Sequence, residues 1–189
     1  MPSAFGVPTA STNRYQAPPT RILLATLTAK SSATLTFTGL DPLVYQTYRF
    51  VGQGLSSATA PVTCTVACSS DKGATFAMTG EGTTFGGLST ANSWQATEDS
   101  TSPFNIMHNS NGAAMCFDAA LYIYIKDNTD ARSTLLGYSA VQDNNINRCQ
   151  PGTFAFKFAT TVSSYPTDIR FALSAGTFRQ GTIKVYGES

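Results

Sequence analysis

Charged residues are scarce in this sequence. Only 12% of its 189 residues are Asp, Glu, Lys or Arg, about half the share of roughly 25% that is usual in soluble globular proteins. The formal net charge is +1, so no strong attraction draws the chain to a phosphate backbone or to an anionic membrane surface. We therefore expect neither nucleic acid nor membrane among its partners, and a surface built mainly from Ser, Thr, Asn, Gln and Gly.

Long apolar runs and histidine are also scarce. No apolar run reaches the length of about 18 residues that a transmembrane helix needs, and residues 1–10 lack the basic start and apolar stretch of a secretory signal. The single histidine, His108, lies in a polar stretch that reads as a loop. A histidine-based metal cluster is thereby excluded, and a Ser-His-Asp site would depend on this one residue. We expect a protein made in a cytosol, with no metal and no cofactor.

The acidic residues do not single out a catalytic pair. Four acids occur in turn contexts, namely Asp41, Asp71, Asp127 and Asp130, and Glu98 and Asp99 are neighbours in a polar segment. A glycosidase needs two carboxyl groups that flank the scissile bond, and the sequence distinguishes no two acids on facing strands, although this alternative stays open. We predict a non-enzymatic protein with no catalytic residues.

Strands and turns fill the sequence from residue 21 onward. Segments in which β-branched and aromatic residues alternate with polar ones are separated by turn signals such as residues 70–73, Ser-Asp-Lys-Gly. No segment shows a helical period with caps. The pattern predicts an all-β fold of about eight to ten strands, an antiparallel β-sandwich of jelly-roll type, with one domain over residues 21–189.

Several expectations concern individual elements of this fold. Residues 22–28 and 33–37 resemble the two arms of a hairpin. Val44 is expected to share one face of the next strand with Tyr48 and Phe50. We expect the long polar region that ends at residue 111 to be a surface excursion, and we expect the strand at residues 182–186 to lie inside a sheet.

Proline and small residues dominate residues 1–20. Such a segment has too little apolar content to build a core of its own, so we interpret it as an extended arm. We expect it to pack either against its own domain or against a neighbouring subunit, with Phe5, Val7 and Tyr15 as its apolar anchors. A low-charge sandwich that carries such an arm suits a symmetric homo-oligomer, and we predict a trimer.

Strand geometry constrains the four cysteines. Cys64 and Cys68 lie four positions apart on a predicted strand, which separates their Cα atoms by about 13 Å at roughly 3.3 Å per residue. A disulfide needs less than about 7 Å, so we predict two buried free thiols. Cys116 and Cys149 are the candidates for a disulfide within or between subunits, and Cys149 is the stronger one because its polar segment is predicted to be a loop.

Aromatic residues suggest a second interpretation, which is carbohydrate binding. The rings of tyrosine and tryptophan combine an apolar body with a polar tip and can stack on sugar rings. Most of the tyrosines here also fit half-buried packing on strands. Trp94 lies in the long polar segment, so we take it as the candidate ligand or interface contact.

Several motifs, taken in order along the chain, carry a family resemblance. Residues 35–39 read Leu-Thr-Phe-Thr-Gly, residues 69–76 read Ser-Ser-Asp-Lys-Gly-Ala-Thr-Phe, and residues 181–187 read Gly-Thr-Ile-Lys-Val-Tyr-Gly. Together they resemble virion proteins of tailed bacteriophages, whose terminal strand has leucine where this chain has valine. The resemblance spans residues 21–187 and implies a sandwich domain of a phage tail, fibre or head surface. It implies no catalytic residues.

The resemblance, the low charge and the lack of recognisable catalytic residues favour a structural function. We expect a component of a bacteriophage virion, either a head decoration or fibre protein or a tail or collar appendage, located in the virion. Its expected partners are sister subunits and other phage structural proteins. The alternative is a receptor- or glycan-binding fibre domain whose ligand is a cell-surface glycan.

Overall fold

The computed structural model describes residues 20–59, 62–88, 94–99, 103–110, 115–126, 130–143, 148–158 and 164–188, which form β-strands and no helix. The all-β prediction is confirmed. Within these residues there is accordingly no helix long and apolar enough to cross a membrane. The strands are β1 Arg21–Thr28, β2 Thr34–Thr38, β3 Thr47–Ser57, β4 Val62–Ser69, β5 Gly80–Leu88, β6 Trp94–Asp99, β7 Phe104–Ser110, β8 Met115–Lys126, β9 Asp130–Asp143, β10 Arg148–Phe158, β11 Asp168–Leu173 and β12 Phe178–Glu188.

These strands divide between two antiparallel sheets. The larger sheet has eight strands in the order β1-β12-β3-β8-β9-β10-β5-β6, and the smaller has four in the order β2-β11-β4-β7. Buried side chains from both sheets form one hydrophobic cluster. The two sheets therefore pack face to face, and the predicted β-sandwich is confirmed.

The strand pairing is that of a jelly roll. The first four strands pair antiparallel and in reverse order with later ones: β1 with β12, β2 with β11, β3 with β8 and β4 with β7. The four strand pairs follow one another along a long two-stranded ribbon. The first and third pairs lie in the larger sheet and the second and fourth in the smaller one, as in jelly rolls. The remaining strands β9, β10, β5 and β6 extend the larger sheet beyond β8.

Residues 22–28 and 33–37 do not form the predicted hairpin. β1 pairs with β12 in the larger sheet, whereas β2 pairs with β11 in the smaller one. The link between them includes Ser31 at φ 53° and carries the chain from one sheet to the other. The prediction was wrong because turn residues between two alternating segments indicate a bend equally well in a hairpin and in a crossing between sheets.

Two further expectations were wrong. Val44 lies in a loop before β3 and is 58% exposed, so it does not share the inward face of Tyr48 and Phe50. The polar region that ends at residue 111 is not simply a surface excursion, because it contributes β6 and β7, and Phe104 of β7 is fully buried. Together with the glycine-rich β5, these additional strands are the reason that the described residues contain more strands than we predicted.

Two phenylalanines of the smaller sheet join it to the larger one. Phe171 of β11 lies with its ring centroid 5.5 Å from that of Phe50 and 5.2 Å from that of Phe117. Phe104 of β7 stacks on Phe156 of β10 at 4.7 Å. All five rings are at most 3% exposed. The core thus continues from the jelly roll to the added strand β10.

Glycine faces phenylalanine across neighbouring strands of the larger sheet. The pairs are Gly52 with Phe117, Gly137 with Phe154, Gly82 with Phe156 and Gly80 with Phe158. A Cβ atom at Gly52 would lie within 3.0 Å of the Phe117 ring. A ring atom of the facing phenylalanine also lies within 3.0 Å of a Cβ position at Gly82 and at Gly137, whereas backbone atoms of β10 are the nearest ones at Gly80. The aromatic ring thus occupies the space over three of these glycines, including Gly82 of the glycine-rich strand β5.

The last strand, β12, lies inside the larger sheet, between β1 and β3. It pairs with both neighbours along most of its length. Ile183 and Val185 of this strand are 0% exposed. The predicted place of residues 182–186 inside a sheet is confirmed.

Ser133 of β9 has a buried hydroxyl with no hydrogen-bond partner among the described residues. An unsatisfied buried hydroxyl costs about 1–3 kcal/mol, so we expect Ser133→Ala to raise the free energy of unfolding by about 1 kcal/mol. Ser69→Ala is the matched control, because the buried Ser69 hydroxyl donates to Asp71 and accepts from the N–H groups of Asp71 and Gly73. It should destabilise the fold by about 1–3 kcal/mol. Urea unfolding measures both changes, and a loss of stability in Ser133→Ala would contradict the expectation.

Candidate functional site

The larger sheet presents an exposed face on the side away from the core. Side chains alternate between the two faces of a strand, and on β3, β8 and β9 the buried positions are separated by exposed or half-buried ones. We call the surface formed by these intervening residues the outer face. Its residues are Arg49, Val51, Asp118, Ala120, Tyr122, Leu136 and Tyr138.

Arg49 and Asp118 form an ion pair within the outer face. Arg49 Nε donates to Asp118 Oδ1 at 2.6 Å, and Nη2 donates to Oδ2, which is the two-point geometry that fits a guanidinium to a carboxylate. The hydroxyl of Tyr138 donates to Asp118 Oδ2 at 3.1 Å. The hydrogen bond to Asp118 raises the pKa of Arg49 above its usual value. The outer face therefore has a polar centre whose two charges are paired.

Large side chains on the outer face remain exposed near this ion pair. Tyr122, Leu136 and Tyr138 are 45%, 43% and 57% exposed. Ala120 of β8 pairs with Arg49 on one side and with Leu136 on the other, so Arg49 and Leu136 lie in the same row of residues across the three strands. Tyrosine and arginine are enriched in the cores of protein interfaces. The outer face thus combines exposed tyrosine and leucine side chains with a paired arginine.

A cavity of about 200 Å³ lies beside the ion pair. We call it the Cys116 cavity. Its volume is below the roughly 300–1,000 Å³ of typical small-molecule sites, so it suits a single side chain better than a cofactor. The lining residues are Val51, Gly52, Gln53, Cys116, Phe117, Asp118, Tyr138 and Ala140.

The two disulfide candidates lie apart in the larger sheet. Cys116 is a free, exposed thiol of β8, and Cys149 is the second residue of β10 and not part of a loop as predicted. Cys116 pairs with Ala140, which pairs with Pro151, so Cys149 is two strands and two residues away. At about 4.8 Å between strands and 3.3 Å per residue, the two Cα atoms are roughly 12 Å apart. This distance excludes a disulfide between them within one chain; a bond between subunits stays a prediction.

The other predicted contact residues are only partly described. Phe5, Val7 and Tyr15 lie outside the described residues. Trp94 is the first residue of β6, and its backbone pairs with Leu88 of β5; its side chain lies outside the described part. The predictions about the arm and about Trp94 as a contact therefore stay predictions.

His108 lies in β7, not in the predicted loop. Phe104 and Ile106 of the same strand are 0% exposed, so the neighbouring apolar residues indicate a buried strand that the polar composition concealed. In the part of the chain that the structure describes, no three His, Cys, Asp or Glu residues are grouped so that they could hold a metal ion.

Cys64 and Cys68 are buried free thiols, as predicted. Both are 0% exposed. Burial raises the pKa of Cys64 to about 12 and also raises the pKa of Cys68. Because the thiolate is the reactive form of cysteine, these two residues are unreactive core side chains at neutral pH.

One carboxylate closes the turn that follows β4. Asp71 accepts hydrogen bonds from Ser69 Oγ at 2.6 Å and from the N–H and Oγ of Thr75 at 2.8 and 2.6 Å. Lys72 at φ 57° and Gly73 at φ 80° have the left-handed conformation that the turn requires. The Ser-Ser-Asp-Lys-Gly-Ala-Thr-Phe motif thus has a structural explanation.

The turn should make the stability of the protein sensitive to acid. Hydrogen bonds from Ser69 and Thr75 lower the pKa of Asp71 from 3.8 to about 2. A carboxyl group with a lowered pKa stabilises the fold fully above its unfolded pKa and loses this contribution as the pH falls through the folded pKa. We expect the melting temperature to fall more steeply between about pH 4 and pH 2 in the parent than in Asp71→Asn. Equal slopes in thermal melts would contradict this.

The sequence did not single out Arg49 or Asp118, and Tyr138 was only one of several tyrosines that could stack on a sugar ring. Arg49 and Asp118 are 69 residues apart, and Asp118 and Tyr138 are 20 residues apart. The signal available in the sequence was the alternation of each strand, which places each residue on the face opposite the core. Alternation does not reveal which strands are neighbours, and only the pairing of β3, β8 and β9 brings the three side chains together.

Comparisons with known proteins add no relative. No protein-family model, curated protein or solved structure matches the chain.

Proposed function

We propose that this chain is a non-enzymatic structural component of a tailed-bacteriophage virion, which acts by packing its outer face against protein neighbours. The observation that carries the proposal is the group of exposed Tyr122, Leu136 and Tyr138 around the Arg49–Asp118 ion pair. The jelly-roll pairing adds support, because this architecture is used by viral capsid proteins as well as by lectins. The order of motifs in residues 21–187 supplies the phage context.

The outer face can be covered by a protein at little electrostatic cost. The side chains of Arg49 and Asp118 are 31% and 15% exposed, so both charges have already lost much of their hydration and satisfy each other. Removing a lone charge from water is expensive, whereas a paired and hydrogen-bonded charge has most of its partners in place. Contiguous exposed apolar groups rimmed by polar ones are typical of interaction sites. These properties favour a permanent protein neighbour over bulk solvent.

In this proposal the neighbours are sister subunits and other phage structural proteins. The chain is located in the virion, as a head decoration or fibre protein or as a tail or collar appendage. Residues 1–20 lead into β1, which is an edge strand of the larger sheet. An arm that leaves from a sheet edge is well placed to reach a neighbour. We assign to it the docking of the sandwich through Phe5, Val7 and Tyr15.

A charge placed on the outer face tests the proposal. Leu136→Lys puts a cation on the outer face, and Thr34→Lys puts the same cation at an exposed position of β2 in the smaller sheet. Both variants should fold, with melting temperatures close to that of the parent. Leu136→Lys should enter virions at least about tenfold less efficiently than the parent, since central interface residues contribute most of the binding energy. Thr34→Lys should enter normally. Normal incorporation of folded Leu136→Lys would overturn the proposal.

Tyr138 and Asp118 also favour a second candidate function, a glycan-binding fibre domain. An exposed tyrosine ring can stack on a sugar, and a neighbouring carboxylate can accept hydrogen bonds from its hydroxyl groups. A glycan array probed with the parent, Tyr138→Ala and Trp94→Ala separates the two functions. Specific binding that either substitution abolishes would favour glycan recognition, and no binding by the parent would exclude it for the glycans on the array.

A further inference from the structure

Apolar side chains continue the outer face as far as β1, the strand at one edge of the larger sheet. Leu23 of β1 pairs with Tyr186 of β12, which pairs with Arg49 of β3. Residues that pair across antiparallel strands lie on the same face of the sheet, so Leu23 and Tyr186 lie on the same side as Arg49. Leu23 is 53% exposed. An uncovered surface with apolar groups therefore extends from β9 to the first strand of the fold.

The arm of residues 1–20 joins the sheet at this edge. A row of paired residues starts at Arg21, the first residue of β1, crosses β12 and β3, and reaches Tyr122 of β8. β1 and β8 are three strand spacings apart, about 14 Å at roughly 4.8 Å per spacing. A proline-rich segment extends about 3.1 Å per residue, so about five residues reach from Thr20 to Tyr122. The fifth residue before Thr20 is Tyr15.

Two adjacent prolines at the end of the arm disfavour another path, a tight hairpin along the free edge of β1. Pro18 and Pro19 have no N–H group to donate. Pro19 would also occupy the third position of a type I turn that starts at Ala17, where proline is disfavoured because it moves the preceding residue out of the helical region. An extended path across the sheet is compatible with both prolines.

The arm and the outer face have matching chemistry. Residues 1–20 contain four prolines and a single charged side chain, Arg14. Proline-rich segments dock on surfaces lined by aromatic side chains, and Tyr122 and Tyr138 are exposed on the outer face. The charges of the ion pair on this face already satisfy each other, so the face needs no charged partner. The reach and the composition of the arm thus both fit this surface.

We propose that residues 14–19 lie across the outer face of their own chain before assembly, with Tyr15 packed against Tyr122. The covalent link gives the arm an effective concentration of about millimolar at this surface, which a sister subunit at a lower concentration does not match. This inference rests on the proposed function, because it assigns a regulation to the same site. A neighbour with a larger contact area displaces the arm, which is then free to dock on that neighbour. Until then the arm shields the outer face from premature contacts.

An engineered disulfide tests the contact. In a background of Cys116→Ser and Cys149→Ser, mild oxidation of Tyr15→Cys combined with Tyr122→Cys should link positions 15 and 122 within one chain. Mass spectrometry of the linked peptide identifies the pair of cysteines. A product that stays monomeric on non-reducing gels at every protein concentration shows that both cysteines belong to one copy. A covalent dimer through these positions, or the absence of a link, overturns the inference.

Ala175→Cys is the matched control for position 122. Ala175 is exposed in the turn between β11 and β12, at the end of β12 opposite to Glu188. β12 extends from Phe178 to Glu188, about 33 Å at roughly 3.3 Å per residue, which is beyond the reach of Tyr15. Tyr15→Cys combined with Ala175→Cys should therefore form no link. Equal linking at positions 122 and 175 would show that the arm has no fixed place on the sheet, and would overturn the inference.

Nitration of tyrosine measures the shielding without an engineered cysteine. Removing residues 1–19 should speed the nitration of Tyr122 about threefold or more, because a ring that is covered in two thirds of the molecules is free to react in only one third. Tyr165 precedes β11 and packs against the hydrophobic core, so it should react at the same rate in both chains. Equal rates for Tyr122 in the two chains overturn the inference.

The inference and the proposed function fail in different experiments. If no link forms between positions 15 and 122 while folded Leu136→Lys fails to enter virions, the arm contact is wrong and the proposed function stands. If the link forms within one chain while Leu136→Lys enters virions normally, the arm contact is supported and the proposed function fails.

Discussion

A chain that lacks residues 181–189 is expected to be insoluble. This deletion removes most of β12, which pairs with β1 on one side and with β3 on the other. It also removes the fully buried Ile183 and Val185, each of which contributes about 1.5–3 kcal/mol through burial. The two strand ladders are lost as well, against a total stability of about 5–15 kcal/mol for a typical domain. The deletion should therefore prevent folding.

A shorter truncation is the matched control for this deletion. Removing only residues 188–189 breaks the pair between Arg21 and Glu188, whose side chains are 45% and 20% exposed. A surface ion pair of this kind contributes about 0–1 kcal/mol, so this variant should stay soluble. The soluble fraction after expression and a far-ultraviolet spectrum measure both outcomes. A soluble, cooperatively melting chain without residues 181–189 would show that β12 is dispensable.

Alanine at Gly137 is expected to cost about 3 kcal/mol or more, at or above the upper end of the usual effect of overpacking. A Cβ atom at this position would lie within 3.0 Å of the carbonyl oxygen of Asp118, the Cα of Ala119 and the Phe154 ring. Two of these atoms belong to the backbone of β8, so the strand itself would have to move. Trimming Phe154 to leucine should not restore stability.

Gly52→Ala provides the contrasting case. The nearest atoms to a Cβ at Gly52 all belong to the ring of Phe117, so we expect Phe117→Leu to recover part of the loss when it is combined with Gly52→Ala. The coupling between the two positions should be about 0.5–3 kcal/mol. Urea unfolding of the single and double variants gives both couplings. If trimming the phenylalanine recovers stability equally at Gly137 and at Gly52, backbone atoms are not what excludes a Cβ atom at Gly137.

The strands themselves were largely predictable from the sequence. The strand predicted to hold Cys64 and Cys68 is β4, Val62–Ser69, because β-branched residues suit a pleated, buried surface. The strand around residues 182–186 was also placed correctly inside a sheet. The absence of helices among the described residues was also predicted, because no segment of the sequence shows a helical period with caps.

The partners of the strands were not predictable in the same way. The link after β1 contains ordinary turn residues and leads to the opposite sheet. The glycine-rich β5 was not recognised as a strand, because its stabilising aromatic residues lie on β10, far along the chain. Phe104 was hidden in a polar context although it is central to the core. In each case the deciding contact is distant in sequence.

The candidate site depends even more on distant contacts. Arg49, Asp118 and Tyr138 are each unremarkable outward-facing residues of alternating strands. Their hydrogen bonds exist because β3 pairs with β8 and β8 pairs with β9 in one particular register. A shift of one residue would turn each of them toward the core. A single sequence therefore indicates the outer face of each strand but not the site that three strands create.

The most direct test of the proposed assembly role is a reconstruction by electron cryomicroscopy of the tailed-phage particles that the proposal assigns to this chain, with the chain traced in the density. We predict a symmetric set of sandwiches in which a protein neighbour covers the outer face of β3, β8 and β9, including Tyr122, Leu136 and Tyr138. A virion that lacks this chain, or one in which the outer face of every copy is open to solvent, would contradict the proposed role.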